Sequence, residues 1–232
     1  MLGALLDVLF PPGCAACGRL LIDAAGAFFC PDCQHDVERL PGNSCLTCAE
    51  PGDFHGGRCQ RCTSRPPPFS RAFAPFAHEG AIARAVHQFK YVDHPELGRP
   101  LAQLLARESA NFLASAPGIF CAIPLHRSRL RRRRYDQAEL LARELALLTG
   151  RDRLEALTRT RPTERQVGLS ESARVANVAG AFAASTVVRG REVLLVDDVF
   201  TTGATARAAA AALISAGARS VQVLALARAF TL

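Results

Sequence analysis

Apolar and polar positions beyond residue 65 follow two periods, one typical of buried strands and one typical of amphipathic helices. Continuous apolar runs fit strands that are covered on both faces. Such runs predict strands at 71–77, 119–125, 191–198 and 220–227. Helical spacing of the apolar residues predicts helices at 81–90, 95–116, 136–149 and 204–216. Strands that alternate with helices in this order predict an α/β fold with a mainly parallel sheet flanked by helices.

One of these helices has signals at both of its ends. Asp136 and Glu139 have the spacing of a capping box, in which the first side chain accepts hydrogen bonds from backbone N–H groups of the first turn. Gly150 follows the last apolar position and can take the left-handed conformation that ends many helices. The pattern therefore predicts a helix that begins after Asp136 and ends at Thr149.

The first 64 residues do not share the α/β pattern. They hold too few apolar residues to bury a core, and they contain eight of the nine cysteines. Metal binding is therefore expected to supply the folding energy of this region. The run Arg65-Pro66-Pro67-Pro68 is typical of a stiff linker. The sequence thus predicts two domains, a small metal-binding module at 1–64 and an α/β domain at 65–232.

The eight cysteines form four C-x2-C pairs, separated by 12, 11 and 10 residues. Pairs of this spacing are typical of tetrahedral zinc sites with four thiolate ligands, so we expect two structural zinc ions. The predicted ligands are Cys14, Cys17, Cys30, Cys33, Cys45, Cys48, Cys59 and Cys62. We favour a sequential partition, first pair with second and third with fourth, although crossed pairing fits the same spacing. The ninth cysteine, Cys121, lies in an apolar run and is expected to be a small buried hydrophobe.

The composition favours anionic ligands. The net charge is +7, and Lys90 is the only lysine among 28 lysine and arginine residues. Nearly all the positive charge is therefore on guanidinium groups, which bind phosphate in a bidentate manner. The apolar segment at 1–10 lacks the cationic residues of a signal peptide, and no apolar run is long enough to span a bilayer. We therefore expect a cytoplasmic protein with no membrane insertion.

The run from Val193 to Thr205 carries the most specific chemistry. Its predicted strand ends at Asp197 and Asp198, a Thr/Gly segment follows, and an alanine-rich helix comes next. Open α/β sheets bind ligands at the carboxyl ends of their strands, and backbone N–H groups ahead of a helix bind anions. Two carboxylates can accept hydrogen bonds from two vicinal hydroxyls, so the run predicts a site for a ribose 5-phosphate unit. The candidate catalytic residues are Asp197 and Asp198, and the candidate phosphate-binding residues are Thr201, Thr202, Gly203, Ala204 and Thr205.

Six arginines lie between positions 127 and 134, between a predicted strand and the helix that follows it. This placement puts them near the same edge of the sheet as Asp197. Guanidinium groups match the oxygens of a pyrophosphate, and the candidates for that contact are Arg127, Arg129 and Arg134. Contact with nucleic-acid phosphates and a simple solvated charge run fit the same residues.

Two further segments have both a functional and a structural interpretation. The polar residues 159–176 predict a long loop, and such loops are often lids that exclude water from a site. The candidate lid residues are Arg161, Thr163 and Gln166, and a surface insertion is the alternative. In Phe89-Lys90-Tyr91, the cation between two aromatic residues can cover a substrate. Equally, Phe89 can enter the core while Lys90 is solvated.

The run at 193–205 resembles the 5-phosphoribosyl-1-pyrophosphate (PRPP) binding motif of type I phosphoribosyltransferases. Over almost its full length the chain resembles the ComF family of phosphoribosyltransferase-like competence proteins. The segments that carry this resemblance are 10–14 with the later cysteine pairs, 89–91, 123–126 with 135–137, 161–166, 174–177 and 193–205. Arg134 stands where that family usually has a glycine.

The resemblance implies a type I phosphoribosyltransferase fold after a double zinc ribbon, with PRPP and Mg²⁺ as ligands. It also implies a part in natural competence and DNA uptake, with single-stranded DNA and a helicase-type competence protein as partners. Two functions stay open. One is phosphoribosyl transfer, in which Asp197 and Asp198 orient the ribose and favour positive charge at its C1 atom. The other is a non-catalytic adaptor for nucleic acid and protein, whose PRPP site is a sensor or a vestige.

Overall fold

The computed structural model describes residues 13–21, 27–162 and 171–230. At its centre a parallel sheet has the strand order β1, β7, β6, β3, and β2 pairs with β7 beyond the end of β1. These strands are β1 Arg71–Phe73, β2 Phe76–Ala77, β3 Ile119–Ala122, β6 Glu192–Phe200 and β7 Ser220–Arg228. Strands β4 Leu157–Arg159 and β5 Phe182–Ala184 form a separate antiparallel pair. The predicted mainly parallel α/β architecture is confirmed.

Helices cover the sheet on both sides. In the described part of the chain they are α1 Pro31–His35, α2 Gln60–Ser64, α3 Gly80–Tyr91, α4 Gly98–Glu108, α5 Ala110–Ser115, α6 Arg127–Arg133, α7 Gln137–Thr149, α8 Glu171–Val178 and α9 Ala204–Ser215. Short 3-10 turns lie at His55–Gly57, Pro95–Leu97 and Thr186–Val188. Within these residues no helix has the length and apolar character needed to cross a bilayer.

The two faces of the sheet bury two separate hydrophobic cores. Along β6, Leu194 and Val196 point to one core, whereas Val193 and Leu195 point to the other. This alternation follows from the two-residue repeat of a strand. Helices α3, α4, α5 and α7 contribute to the first core, and helix α9 with the β4–β5 pair contributes to the second. Continuous apolar runs on the central strands are thus explained by burial on both faces.

Each cysteine group packs against a different face of the sheet. Cys14, Cys30 and Cys33 belong to the core beneath α3, whereas the four cysteines from Cys45 to Cys62 belong to the core beneath α9. Backbone bonds attach both groups to the sheet region, because Ala77 N–H donates to Glu38 O and Ala72 N–H donates to Thr47 O. The cysteine-rich region therefore shares its buried surface with the α/β region. The predicted boundary at residue 64 stays a prediction.

Two local predictions differ from the structure, and a segment without a predicted element forms a helix. The single helix predicted at 95–116 is divided at Ser109, whose backbone leaves the helical region, and the turn lets Phe112 stack on Phe73 with ring centroids 5.0 Å apart. The arginine-rich segment forms helix α6, whose N-cap His126 accepts a hydrogen bond from Ser128 N–H. The polar stretch predicted as a loop at 159–176 contains the start of α8 at Glu171.

Candidate functional site

A cavity of about 730 Å³ lies at the carboxyl ends of β3 and β6, against the N-terminus of α9. Asp197 and Asp198 line one part of it, and Thr201, Gly203 and Thr205 line another. Parallel strands bring their carboxyl ends to one edge of a sheet, which is where ligands bind in open α/β folds. The structure thus brings the sequence-predicted acid pair and most of the threonine-rich loop to one cavity.

The loop at 201–205 depends on a glycine at its centre. Gly203 is the N-cap of α9 and has φ of 78°, a left-handed conformation that favours glycine. A Cβ atom at this position would lie 2.7 Å from Cζ of Phe200. Thr202 and Ala204 are buried and do not line the cavity, and Thr202 Oγ1 accepts a hydrogen bond of 3.4 Å from Ala204 N–H. Their side chains therefore help to shape the loop.

The loop presents backbone donors beside a helix N-terminus. Among the described residues, the N–H groups of Thr202 and Gly203 have no hydrogen-bond acceptor. The first N–H groups of an α-helix lack partners within the helix, and the helix dipole adds positive potential there. Such an arrangement suits an anion with several acceptor oxygens, and a phosphate has that chemistry.

The two carboxylates have different surroundings. Asp198 is 9% exposed, and its Oδ1 lies 2.9 Å from Nζ of Lys90. Asp197 accepts a hydrogen bond of 2.9 Å from the backbone N–H of Asp198. Burial, with the charge of Asp198 as the next cause, raises the pKa of Asp197 well above its usual range. The site therefore holds one carboxylate that pairs with a lysine and one whose charge is costly.

Five cationic side chains line the same cavity, and the sequence had singled out only part of this set. They are Lys90, Arg129, Arg132, Arg133 and Arg159. Arg159 is 7% exposed and lies over the Phe182 ring at 5.2 Å. Burial, reinforced by the charge of Arg129, lowers the pKa of Arg159 to about 10, so its guanidinium is still protonated at neutral pH. The cavity therefore combines a cationic wall with the acid pair.

The predicted arginines are not all part of this wall. Arg129 lines the cavity, whereas Arg127 does not. Arg134 lies in a neighbouring cavity of about 380 Å³ and pairs with Asp93 at 2.8 Å. Its φ is 66°, so it ends α6 in the left-handed conformation that glycine adopts most easily. The backbone at Arg134 thus has the geometry that explains a glycine at this place in related sequences.

Lys90 is held in place by the segment that precedes α7. The Tyr135 hydroxyl and the Gln137 amide both donate to the carbonyl of Phe89, at 2.6 Å and 3.1 Å. Asp136 is the N-cap of α7, as predicted, and also accepts a 2.6 Å bond from Leu125 N–H. Phe89 is fully buried and Lys90 is mostly buried. The 89–91 and 135–137 segments therefore form one structural unit, which the sequence pattern did not reveal.

Only part of the predicted lid can be placed. Arg161 donates a 2.7 Å hydrogen bond to the carbonyl of Ala179, beyond the C-terminus of α8. Thr163 and Gln166 lie outside the described residues. His78 lines the cavity as well, and burial lowers its pKa. His78 was not a candidate from the sequence, because no spacing connects it with the acid pair.

The eight paired cysteines form two groups of four, and the grouping is sequential. Cys14, Cys17, Cys30 and Cys33 form one group, and Cys45, Cys48, Cys59 and Cys62 form the other, with all sulfur atoms of a group within 4.8 Å of one another. Tetrahedral zinc with Zn–S bonds of about 2.3 Å needs sulfur separations of about 3.8 Å. The Cys17–Cys30 and Cys48–Cys59 separations are 3.8 Å and 3.6 Å. Both groups fit structural zinc. Burial raises the pKa of Cys121 to about 11, which fits a buried thiol.

Comparison with known proteins agrees with this arrangement. Residues 5–63 match the double zinc ribbon domain, and residues 131–229 match the phosphoribosyl transferase domain. The chain is thus a double zinc ribbon joined to a domain of the type I phosphoribosyltransferase fold. Among solved structures, glutamine PRPP amidotransferase from B. subtilis has a TM-score of 0.42 and 24% identity, covering 60% of this chain and 30% of that one.

Relatives that match over most of their length show the family. The DNA utilization protein YhgH of Escherichia coli O6:H1 is 33% identical over 204 residues, which are 86% of this chain and 89% of that protein. Competence protein F of Haemophilus influenzae is 29% identical over 225 residues, which are 93% of this chain and 96% of that protein. The chain belongs to the ComF family of phosphoribosyltransferase-like competence proteins.

Proposed function

We propose that the chain binds a 5-phosphoribosyl ligand, PRPP in the first place, in the cavity at the end of β6. The observation that carries this proposal is that the acid pair and the threonine-rich loop line the same cavity. The volume of about 730 Å³ lies in the range of small-molecule sites. A ligand with a diol at one end and a phosphate at the other fits these two groups of residues.

The 5-phosphate would bind at the loop. The hydroxyls of Thr201 and Thr205 and the N-terminus of α9 would supply donors to it, together with the backbone N–H groups of Thr202 and Gly203 in the same short segment. Close approach of the phosphate needs the absence of a side chain at Gly203. This part of the proposal depends on backbone geometry more than on side-chain charge.

The ribose diol would bind at the acid pair. Asp198 can accept a hydroxyl hydrogen bond while its contact with Lys90 is kept or exchanged for a ligand oxygen. Asp197 is held by the backbone N–H of Asp198 and keeps a second oxygen for the neighbouring hydroxyl. Their negative charge would also favour positive charge at the C1 atom of the ribose.

The leaving pyrophosphate would meet the cationic wall. Lys90, Arg129, Arg133 and buried Arg159 line the cavity, and guanidinium groups match phosphate oxygens. Arg127 and Arg134 stay predictions from the sequence. Mg²⁺ is proposed as a second ligand, held mainly by PRPP oxygens and water near the carboxylates, where it would neutralise charge on the pyrophosphate.

The biological setting is a separate part of the proposal. Relatives are named for DNA utilization and competence, and this supports a role of the chain in DNA uptake. The exposed arginines of α6 supply a cationic surface that suits single-stranded DNA. A helicase-type competence protein and a cytoplasmic location belong to the same proposal.

Calorimetric titration with PRPP and with inorganic pyrophosphate tests the ligand site. Asp197→Asn with Asp198→Asn is expected to weaken PRPP binding by about 100-fold or more, because two charge-assisted hydrogen bonds to the diol are lost. Inorganic pyrophosphate has no diol, so it should bind this variant at least as tightly as it binds the unmodified chain. Equal PRPP affinity in both proteins would contradict the assignment of the acid pair.

A control with the same change of charge separates a local effect from a general one. Asp152→Asn with Glu155→Gln removes two carboxylates that are exposed and lie outside the cavity, so PRPP affinity should not change. Release of pyrophosphate from PRPP in the presence of bases or amines then distinguishes transfer from sensing. PRPP binding without such release would support the adaptor function.

A further inference from the structure

Arg228 connects the phosphate loop with the second cysteine group. It is the last residue of β7 and is 1% exposed. Its Nη1 donates a 3.3 Å hydrogen bond to the carbonyl of Thr201, and its Nη2 forms an ion pair with Glu50. Arg228 does not line the cavity, so its guanidinium contacts the loop outside the space that a ligand would fill. A buried guanidinium needs such partners, because an unpaired charge in the interior is costly.

Glu50 is positioned by the cysteine group itself. It lies two residues after Cys48, and its carbonyl accepts a 2.7 Å hydrogen bond from Cys45 N–H. Its carboxylate also pairs with Arg61 at 3.1 Å, and Arg61 lies in α2 between Cys59 and Cys62. Both cysteine pairs of this group therefore fix Glu50. Its position depends on the fold that the second structural zinc ion would hold.

The Arg228 contact sets the direction of one peptide group in the loop. In a trans peptide the C=O and the next N–H point in opposite directions. The Thr201 carbonyl points to Arg228, so the Thr202 N–H points away from it. This N–H is one of the two loop donors without an acceptor among the described residues. The guanidinium thus helps to fix the orientation of a backbone donor in the loop.

A second contact leads from Arg228 to the same loop. Its guanidinium lies over the Phe200 ring at 5.1 Å, and this ring fills the space next to Gly203. Phe69, which belongs to the core that also buries the second cysteine group, packs against Phe200 edge-to-face at 6.1 Å. The loop is therefore supported at Thr201 through a hydrogen bond and at Gly203 through packing.

We propose that Glu50 and Arg228 are positioning residues through which the second zinc ribbon holds the 201–205 loop ready for a phosphate. This inference rests on the proposed function for the identity of the anion. The positioning of the 201–205 loop by Glu50 and Arg228 does not depend on that identity and is measurable in the chain without ligand. The second zinc ribbon would then contribute to ligand binding in addition to the stability of the fold.

Backbone order of the loop in the zinc-loaded chain tests the positioning. NMR order parameters of the Thr202 and Gly203 N–H groups should be near 0.85 in the unmodified chain, typical of rigid backbone, and below about 0.6 in Glu50→Ala. Glu50→Gln keeps an acceptor for Arg228 and should give an intermediate value. Asp53→Asn is the control, because Asp53 bonds to Asn43 in the same ribbon and is expected to leave the loop unchanged.

Ligand affinity and zinc content complete the test. PRPP should bind Glu50→Ala about tenfold more weakly, with Glu50→Gln between this variant and the unmodified chain. Zinc content should stay at two ions per chain in each variant; if Glu50→Ala fails to fold or loses zinc, Glu50→Gln decides the result. Unchanged loop order or unchanged affinity in a folded variant would overturn the inference. Absence of PRPP binding by the unmodified chain would instead contradict the proposed function.

Discussion

Asp197 and Asp198 are adjacent carboxylates at a buried strand end, and their charges repel each other. Lys90 compensates Asp198 directly through a 2.9 Å contact. Asp197 receives a backbone hydrogen bond, but burial and its neighbour still raise its pKa well above the usual range. A ligand that donates two hydroxyl hydrogen bonds would stabilise the charged form of both. Charge repulsion in the acid pair costs stability, and this cost supports the proposed role of both carboxylates in binding a diol.

Asp197→Asn is expected to stabilise the ligand-free chain above the raised pKa of Asp197. The Asp197 carboxyl binds its proton more tightly in the folded state than in the unfolded state. The free energy of unfolding of the natural chain therefore falls as pH rises from the usual Asp pKa of about 3.9 through the raised pKa of Asp197. Asparagine keeps an acceptor for Asp198 N–H and does not ionise, so the variant does not lose stability in this way as pH rises. In thermal unfolding from pH 4 to 8, the melting temperature of the variant should exceed that of the natural chain at pH 8, and this difference should shrink toward pH 4. A difference in melting temperature that stays constant across this pH range would contradict the raised pKa of Asp197.

Individual residues of the site differed in how well the sequence revealed them. Asp197, Asp198, Thr201, Gly203 and Thr205 follow one buried strand, so a local pattern was enough to place them in one cavity. Lys90 and Arg159 enter the same cavity from α3 and β4. Their positions depend on how distant segments pack, and no local period marks a buried cation. The sequence offered Lys90 as a cation that could cover a substrate, but the burial of both side chains beside the acid pair became visible only in the folded chain.

At the scale of elements, α3 and the segment before α7 act together. The carbonyl of Phe89 near the end of α3 receives two hydrogen bonds, one from Tyr135 and one from Gln137. Carbonyls in the last turn of a helix lack partners within the helix. The two side chains thus satisfy one such group and fix the helix end that carries Lys90.

Tyr135→Phe tests this connection. Loss of the 2.6 Å hydroxyl bond to Phe89 O is expected to lower the free energy of unfolding by about 1 kcal/mol. The matched control is Tyr91→Phe, because Tyr91 is 56% exposed and packs through its ring. That control should change the same free energy by less than about 0.5 kcal/mol. Chemical denaturation measures both, and equal losses would show that the Phe89 contact has no special role.

Element boundaries were predictable where a local signal ended them. Asp136 caps α7 and Gly150 ends it in the left-handed conformation, as the sequence indicated. Glu139 does not complete the capping box, because its carboxylate pairs with Arg153. The break at Ser109 also depends on tertiary contacts, since it lets Phe112 reach Phe73. Apolar spacing continues across Ser109 and so could not reveal the break.

At the scale of the whole molecule, the cysteine groups are outer layers of one folded unit. One group packs on each face of the sheet and shares its hydrophobic core. The sequential grouping of the cysteines that the sequence predicted is confirmed, and their assignment as zinc ligands stays a prediction. Their placement on opposite faces is fixed in part by backbone hydrogen bonds of Glu38 with β2 and of Thr47 with β1. The spacing of the cysteines carries no information on these contacts.

Zinc content is the measurable consequence of this arrangement. Atomic absorption of the purified chain should give two zinc ions, and Cys48→Ser should give one, because three thiolates remain in the second group. This variant should also unfold at lower temperature, since the group shares a core with α9. Cys121→Ser is the control and should keep both ions. Loss of zinc from that control, or two ions in Cys48→Ser, would contradict the assignment.

The central claim is that a sugar phosphate binds where the acid pair meets the threonine-rich loop. A crystal structure of the zinc-loaded chain with PRPP and Mg²⁺ tests it most directly. We predict that the 5-phosphate lies within hydrogen-bond distance of the Thr202 and Gly203 N–H groups, with both ribose hydroxyls on Asp197 and Asp198. PRPP bound elsewhere, or a cavity that stays without it at saturating concentration, would contradict the claim.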